Sequence, residues 1–370
     1  MSRARDLADL GGSANAGTVT GDSLIMNGDF AVSQRGSSFS FAHDGTEIAH
    51  TIDRFRFVIF NTDSYDGTVT QDSDVPSGSG FSNSFKLTTG TAESAIADDE
   101  IVYLDTKIEA QNLQHLLYGT SSAKKVTLSF WVKSSVTGTY GVNLYKPDTT
   151  SRIINKTYTI NTASTWEYKT ITFDGDTDSG ATIADDNGAG LWISWHLASG
   201  ADYDSTDSSD WIDYTTTTWA YGHAQDGVVT TASATWQLTG AKLEVGTVAT
   251  PYRHESYADN LRKCQRYYHR ATSSGASNQG AFGAGTAYQT TVLLGSYQAP
   301  VEMRITPDAG YSGAVYVVSN GNVFNVSGLA VTGDGRDFRI DVDTTTSMTQ
   351  GDGAYFQLND TGVIDLDAEL

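Results

Sequence analysis

One basic, helix-patterned stretch, residues 249–270 (ATPYRHESYADNLRKCQRYYHR), separates two long regions that alternate with the two-residue period of strands. Pro251 disfavours helix for Thr250, so a new element should begin beyond it. Ser256 followed by Asp259 resembles a capping-box start, with an acid where the helix dipole favours one. Tyr257, Leu261, Cys264 and Tyr268 recur at spacings of four, three and four, which predicts one packed helical face. Arg262, Lys263, Arg266 and Arg270 fall largely on the other side, and a small-residue run at 271–280 ends the element. Such a segment either connects two β-domains or offers its arginines to an acidic partner.

The flanking regions carry short apolar-alternating runs broken by Gly, Asp, Asn and Ser. With 5 prolines and 19 tyrosines, this is the composition of a folded β-protein and not of a disordered chain. A formal net charge of -21 opposes nucleic acid as a partner, because the chain would repel phosphates. The single cysteine, Cys264, rules out an internal disulfide and falls on the face expected to be packed. No apolar run of signal-peptide length opens the sequence, and nowhere do 18 apolar residues follow one another. The expectation is a protein made in a cytoplasm, neither exported by that route nor inserted in a membrane.

Residues 1–20 read as an arm, two short helical turns and a flexible glycine-rich spacer, that either docks on a larger assembly or frays. Strands are expected at 24–26, 54–60, 84–88, 126–134, 141–145, 155–160, 167–173, 190–196 and 234–243. A short helix or loop at 108–118 should close one end. Many short strands with turn-rich joints over residues 21–252 predict an antiparallel jelly-roll sandwich. Residues 253–279 form the connector helix and linker. Residues 280–370 predict a second, smaller β-sandwich with strands at 290–297, 301–305, 314–318, 323–326, 337–342 and 354–358. Asn320-Gly321 and Asp334-Gly335 are its hairpin signals. The fold class is therefore all-β with one short connector helix.

Between Lys169 and Lys242 lie eleven aspartates and no Lys, Arg or Glu. Asp174-Gly175-Asp176-Thr177-Asp178-Ser179-Gly180 looks like the front of a calcium loop, but Ser179 stands where glycine is needed and the late glutamate is missing. Asp202, Asp204, Asp207 and Asp210 form a second cluster. Solvated acidic loops are the simpler reading, with no metal and no cofactor. Aromatics crowd the same interval: Trp192, Trp195, Tyr203, Trp211, Tyr214, Trp219 and Tyr221. Rings beside carboxylates suit sugars, whose C–H faces stack on the rings while the acids accept from hydroxyls. Trp195 alternates in phase with Leu191 and Ile193 and is expected in the core. The loop-borne Trp211, Tyr214, Trp219 and Tyr221 are the candidate ligand-binding residues, with packing between subunits as their competing fate. The seven histidines are scattered without metal spacing, no nucleophile elbow or phosphate loop appears, and Cys264 has no recognisable base. No catalytic residue is assigned and the chain is read as a non-enzyme.

Several segments resemble one family. Asn27-Gly28-Asp29-Phe30-Ala31-Val32-Ser33-Gln34-Arg35-Gly36, followed by Asp53-Arg54-Phe55, is similar to the opening of a carbohydrate-binding-module-like domain of bacteriophage tail-fibre and virion appendage proteins. Phe55 stands where that family usually has Trp. Phe130-Trp131-Val132-Lys133, Thr165-Trp166-Glu167-Tyr168 and Ile171-Thr172-Phe173 resemble its central strands. Leu238-Thr239-Gly240-Ala241-Lys242-Leu243-Glu244, Ala249-Thr250-Pro251-Tyr252 and Cys264-Gln265-Arg266-Tyr267-Tyr268 resemble its closing strand and hinge. Pro300-Val301-Glu302-Met303-Arg304, Pro307 and the terminal Asp367-Ala368-Glu369-Leu370 extend the similarity.

The resemblance implies a structural protein of the virion, a tail fibre or other appendage, homo-oligomeric and often trimeric. The resemblance fixes no sugar ligand, since many such domains serve as scaffolds; the expected partners are other phage structural proteins, met through residues 1–20, and host cell-surface glycans. Two rivals stay open: an architectural capsid- or tail-decorating protein without a ligand, and a glycan depolymerase.

Overall fold

The computed structural model describes residues 21–42, 45–272, 280–333 and 335–370. The expected arm at 1–20, most of the small-residue run after the helix, and Asp334 of the second hairpin signal lie outside the described residues. The structure is nearly all β, its ladders are antiparallel, and it divides into two compact units. One runs to Tyr257 and the other comprises Ala258–Glu369.

In the first unit two sheets face each other. The six-stranded sheet is ordered β1 (Ser38–Phe41), β4 (Gly67–Asp72), β5 (Ser84–Thr89), β13 (Thr235–Val245), β7 (Val126–Ser134), β10 (Glu167–Phe173). The seven-stranded sheet is ordered β12 (Ile212–Asp213), β9 (Arg152–Ile160), β8 (Gly138–Lys146), β11 (Ala189–Ser199), β6 (Ile101–Glu109), β3 (Phe55–Thr62), β2 (Gly45–His50). The alternation of β7 decides its orientation: Val126, Leu128, Phe130 and Val132 are wholly buried, while Trp131 and Lys133 face outward. Rings interlock across the layers, Phe130 edge-on to Trp195 at 6.0 Å and Phe57 against Phe85 at 6.3 Å. Each such side chain removed from water stabilises the sandwich by about 1.5–3 kcal/mol.

The expected strand at 24–26 is not a ladder strand. Ile25 N–H is taken by Ser23 Oγ, and positive φ at Asn27 and Phe30 (55° and 54°) turns the chain away. Gly28 then lies so close to β13 that a Cβ would sit 1.9 Å from Ala241 O, so only glycine fits there. Ile108 belongs to β6 and not to a helix, while Ala110–Leu116 is the expected closing element, a 3-10 helix burying Leu113 and Leu116.

The helix spans Tyr257–Gln265. Cys264 is buried as expected, but Tyr257 is 59% exposed and Asn260 takes an inner position instead. Tyr268 is buried in β14 (Tyr268–Thr272), a strand and not a fourth turn, because pairing with β20 (Gly353–Asp367) overrides the helical spacing. Arg270, expected on the helix surface, instead grips Asp365 through Nε (2.7 Å) and Nη2 (3.1 Å). The segment expected as a connector therefore gives its helix and β14 to the second unit.

That unit also holds β15 (Gly280–Gln289), β16 (Val292–Gln298), β17 (Asp308–Ser319), β18 (Asn322–Thr332) and β19 (Asp337–Thr344). Strand β20 pairs with β15 on one side and β17 on the other, so the ladder β20-β15-β16-β19-β18-β17 closes on itself. The smaller sandwich is thus one sheet folded round onto its own edge, around Leu293, Val317, Ile340 and Phe356. Residues 301–305 do not join a ladder. Pro300 and Pro307 bound them, and Met303 N–H instead reaches Gly335 O at 2.8 Å. Asn320 and Gly321, at φ 47° and 76°, form the expected two-residue hairpin between Ser319 and Asn322.

Candidate functional site: an aromatic cleft on the seven-stranded sheet

The outer face of the seven-stranded sheet is set by register. Strand β6 turns Tyr103 outward between buried Val102 and Leu104, β11 turns Trp192 outward between Leu191 and Ile193, and β8 turns Tyr145 outward beside Leu144. Trp192 stands opposite Tyr145 on one side and Lys107 on the other, and His196 stands opposite Tyr103. Between these positions the sheet presents a polar row, Asp105, Ser194, Asn143 and Asn155, every member buried.

The long loop after β11 covers that row. Asn155 Nδ2 donates to Ser208 Oγ (2.7 Å) and Thr218 O (2.8 Å), and Asn143 Nδ2 donates to Trp219 O (2.7 Å). Two side-chain amides thereby anchor the loop and set the Trp219 ring on the sheet. Asn143 Nδ2 also approaches His196 Nε2 at 3.2 Å, so that nitrogen accepts and the imidazole is neutral. Burial, helped by neighbouring His223, holds the His196 pKa well below its ordinary value.

Trp219, 6% exposed, is the hub of the site. Its ring meets Tyr145 at 5.2 Å, Tyr214 at 5.6 Å, Tyr103 at 5.7 Å and Trp192 at 6.2 Å, at interplanar angles of 67°, 79°, 60° and 85°. These rings, with Tyr203 from the loop, bound one side of a cleft of about 300 Å³; Ile48, Val58, Phe60 and Ile101 bound the other. The polar side-chain atoms of the lining residues are phenol hydroxyls and indole nitrogens, of which Trp192 Nε1 is buried. Burial raises the pKa of Tyr103, Tyr203 and Tyr214, with Asp105 adding to it at Tyr103 and Asp99 at Tyr203. Arg56 stands 5.2 Å from the Trp192 ring centre but is held by Asp105, its Nε 3.1 Å from Oδ1.

Of the four residues expected to bind a ligand, Tyr214 and Trp219 line the cleft. Trp211 does not: its Nε1 donates to Asp174 O at 2.6 Å and its ring packs edge-on to Tyr118. Tyr221 is half-buried and lies outside the lining. Tyr103, Tyr145 and Trp192 were not among the four. Each is an aromatic at the outward phase of an alternating strand, where a polar residue is usual, and that signal could have found them. The Asp-rich stretch disperses its carboxylates: Asp176 pairs with Arg152 Nε at 2.5 Å, Asp174 pairs with Lys125, and Asp178 accepts Gly180 N–H at 2.8 Å. Among the described residues no group of three His, Cys, Asp or Glu is placed to hold a metal, and no helix is long and apolar enough to cross a membrane.

No family model matches the sequence, and no curated protein matches it. Among solved structures, the enzymatically active domain of tailspike protein 4 of bacteriophage CBA120 aligns with 60% of this chain and 21% of its own, at 11% identity and TM-score 0.32. The chain thus spans about a fifth of that structure's length. A family 11 carbohydrate-binding module of Clostridium thermocellum aligns over 61% of this chain and 96% of its own, at 12% identity and TM-score 0.28. The tripod from the baseplate of bacteriophage Tuc2009 aligns over 75% and 81%, at 13% identity and TM-score 0.23. Likeness of this order is too slight to carry a ligand, a chemistry or an assembly across to this chain.

Proposed function

We propose that this chain is a bacteriophage virion structural protein, a tail fibre or other appendage, whose jelly roll binds a host-surface glycan in the aromatic cleft. The sequence resemblance supports the virion role. The observation that carries the binding role is the group of rings assembled around Trp219 on an open sheet face. A sugar offers C–H faces to such rings and hydroxyls to the tyrosine phenols. One cleft of this kind binds weakly; several copies on one particle raise the effective affinity by 10²–10⁴-fold in order of magnitude.

None of the cleft-lining residues is a carboxylate. Hydrolysis of a glycosidic bond ordinarily needs two. That supports binding without catalysis in preference to a depolymerase. The test is a glycan array probed with the chain displayed multivalently, beside its Tyr145→Ala and Trp192→Ala variants. Binding by the parent and its loss in both variants is expected. A blank array for the parent would leave the architectural role in its place.

A further inference from the structure

The cleft has two unlike walls. Toward β8 and β11 it is aromatic. Toward β2, β3 and the start of β6 it is apolar and, apart from one ring, aliphatic: Ile48 lies opposite Val58 in the β2–β3 ladder, and Phe60 opposite Ile101 in the β3–β6 ladder. Tyr103, opposite Val58, stands where the two walls meet. Ile48 is 52% exposed, so the apolar wall stays open at the sheet edge. No side chain on that wall can donate or accept a hydrogen bond. A sugar hydroxyl turned toward it would lose its water and gain no partner. No lining residue is charged, and the two cations beside the Trp192 ring are engaged elsewhere: Arg56 with Asp105, and Lys107 Nζ, 4.2 Å from the ring centre, with Leu370 O at 2.6 Å. An anionic sugar would gain no counter-ion from the cleft lining and would have to compete with Asp105 and Leu370 O for the two cations beside it.

We infer that the cleft selects an uncharged sugar bearing a methyl group, with its C–H face on the Tyr145–Trp192–Trp219 wall and the methyl against Ile48, Val58, Phe60 and Ile101. This rests on the glycan-binding reading of the same cleft. The methyl has two sources, a 6-deoxy carbon or an N- or O-acetyl group, and both present the same apolar chemistry. A single methylene in an apolar pocket is worth about 10-fold or more in discrimination.

The test is tryptophan-fluorescence titration of the full chain with matched pairs: 6-deoxy-D-mannose against D-mannose, N-acetylglucosamine oligomers against glucose oligomers, and glucuronic acid as the charged control. At least a 10-fold preference for the methyl-bearing member of one pair is expected, and the preferred pair identifies the source. Ile48→Ser, on an exposed edge position, should bring that ratio close to one. Equal affinities within both pairs, with binding still lost in Trp192→Ala, would overturn the selectivity and leave glycan binding standing. So would a ratio that survives Ile48→Ser, or tighter binding of glucuronic acid. No binding by any sugar would overturn both.

Discussion

Lys242 Nζ lies 3.0 Å from Glu244 Oε1, and both side chains are only 1% exposed. They are two apart on β13, pointing away from the core, and what buries them is the chain returning after the strand. Lys242 donates to Thr250 Oγ1 (2.5 Å) and to the carbonyls of Thr250 and Pro251 (both 3.2 Å). Glu244 accepts from Thr250 N–H and Oγ1–H, both at 2.7 Å. The pair thus satisfies the polar groups of the Thr250-Pro251 turn, which gives a physical reason for Lys242, Glu244 and Thr250 in one short motif.

Removing one member strands the other without water. Lys242→Met should destabilise the first unit by about 3–5 kcal/mol, and Glu244→Leu similarly, whereas the double variant should cost far less than the sum. All seven tryptophans lie in this unit, so their fluorescence during guanidinium unfolding reports it alone. Additive losses would contradict the clamp.

Trp211, Trp219 and Tyr145 should separate by role. Trp211→Phe should leave glycan affinity unchanged, because that ring serves the Asp174 and Tyr118 contacts. Trp219→Ala should abolish binding and also cost about 3–5 kcal/mol, since it empties the hub beneath the cleft. Tyr145→Ala, half-buried at the surface, should lower affinity with a smaller loss of stability. Titration and unfolding of the same samples would check the split.

In the second unit, His269 lies nearly parallel to Tyr297, 11° between planes and 6.0 Å between ring centres, with the Tyr297 hydroxyl 2.6 Å from Nε2. Burial lowers the His269 pKa to about 4, against an ordinary value of 6.5. The unfolded chain therefore binds the proton first. Stability is complete above about pH 6.5 and falls as the pH drops toward 4, by up to about 3 kcal/mol, less whatever solvent still reaches the ring. Calorimetry of the full chain should show the second unit's transition moving down between pH 7 and pH 4, and His269→Phe should shrink that shift.

Gly321 has a φ of 76° and open space where a Cβ would stand. Gly321→Ala meets no clash, so its cost is conformational alone, about 1 kcal/mol. The same calorimetric transition should fall by a few degrees without change in the first. A larger loss would mean that the hairpin does more than turn the chain.

Local chemistry was legible wherever it acted over a few residues. The alternation of Val126–Ser134 marked a strand with its inner face named, and Asn320-Gly321 marked its own turn. The second half of the helical segment was misread because spacing alone suits Tyr268 to a helix, while the ladder offered by β20 suits it better. Of the cleft, the loop residues Tyr214 and Trp219 were visible as aromatics in a polar stretch.

The sequence by itself determined an all-β chain, its principal strands and an acidic interval rich in aromatics. Only the tertiary structure decided that Tyr103, Tyr145 and Trp192 meet over Trp219, because they lie on three strands brought side by side by the β6–β11–β8 register. Periodicity tells which way a side chain points; it does not tell which distant strand will lie beside it. That choice belongs to long-range pairing and packing, where the cost of closing loops is set against the burial that follows.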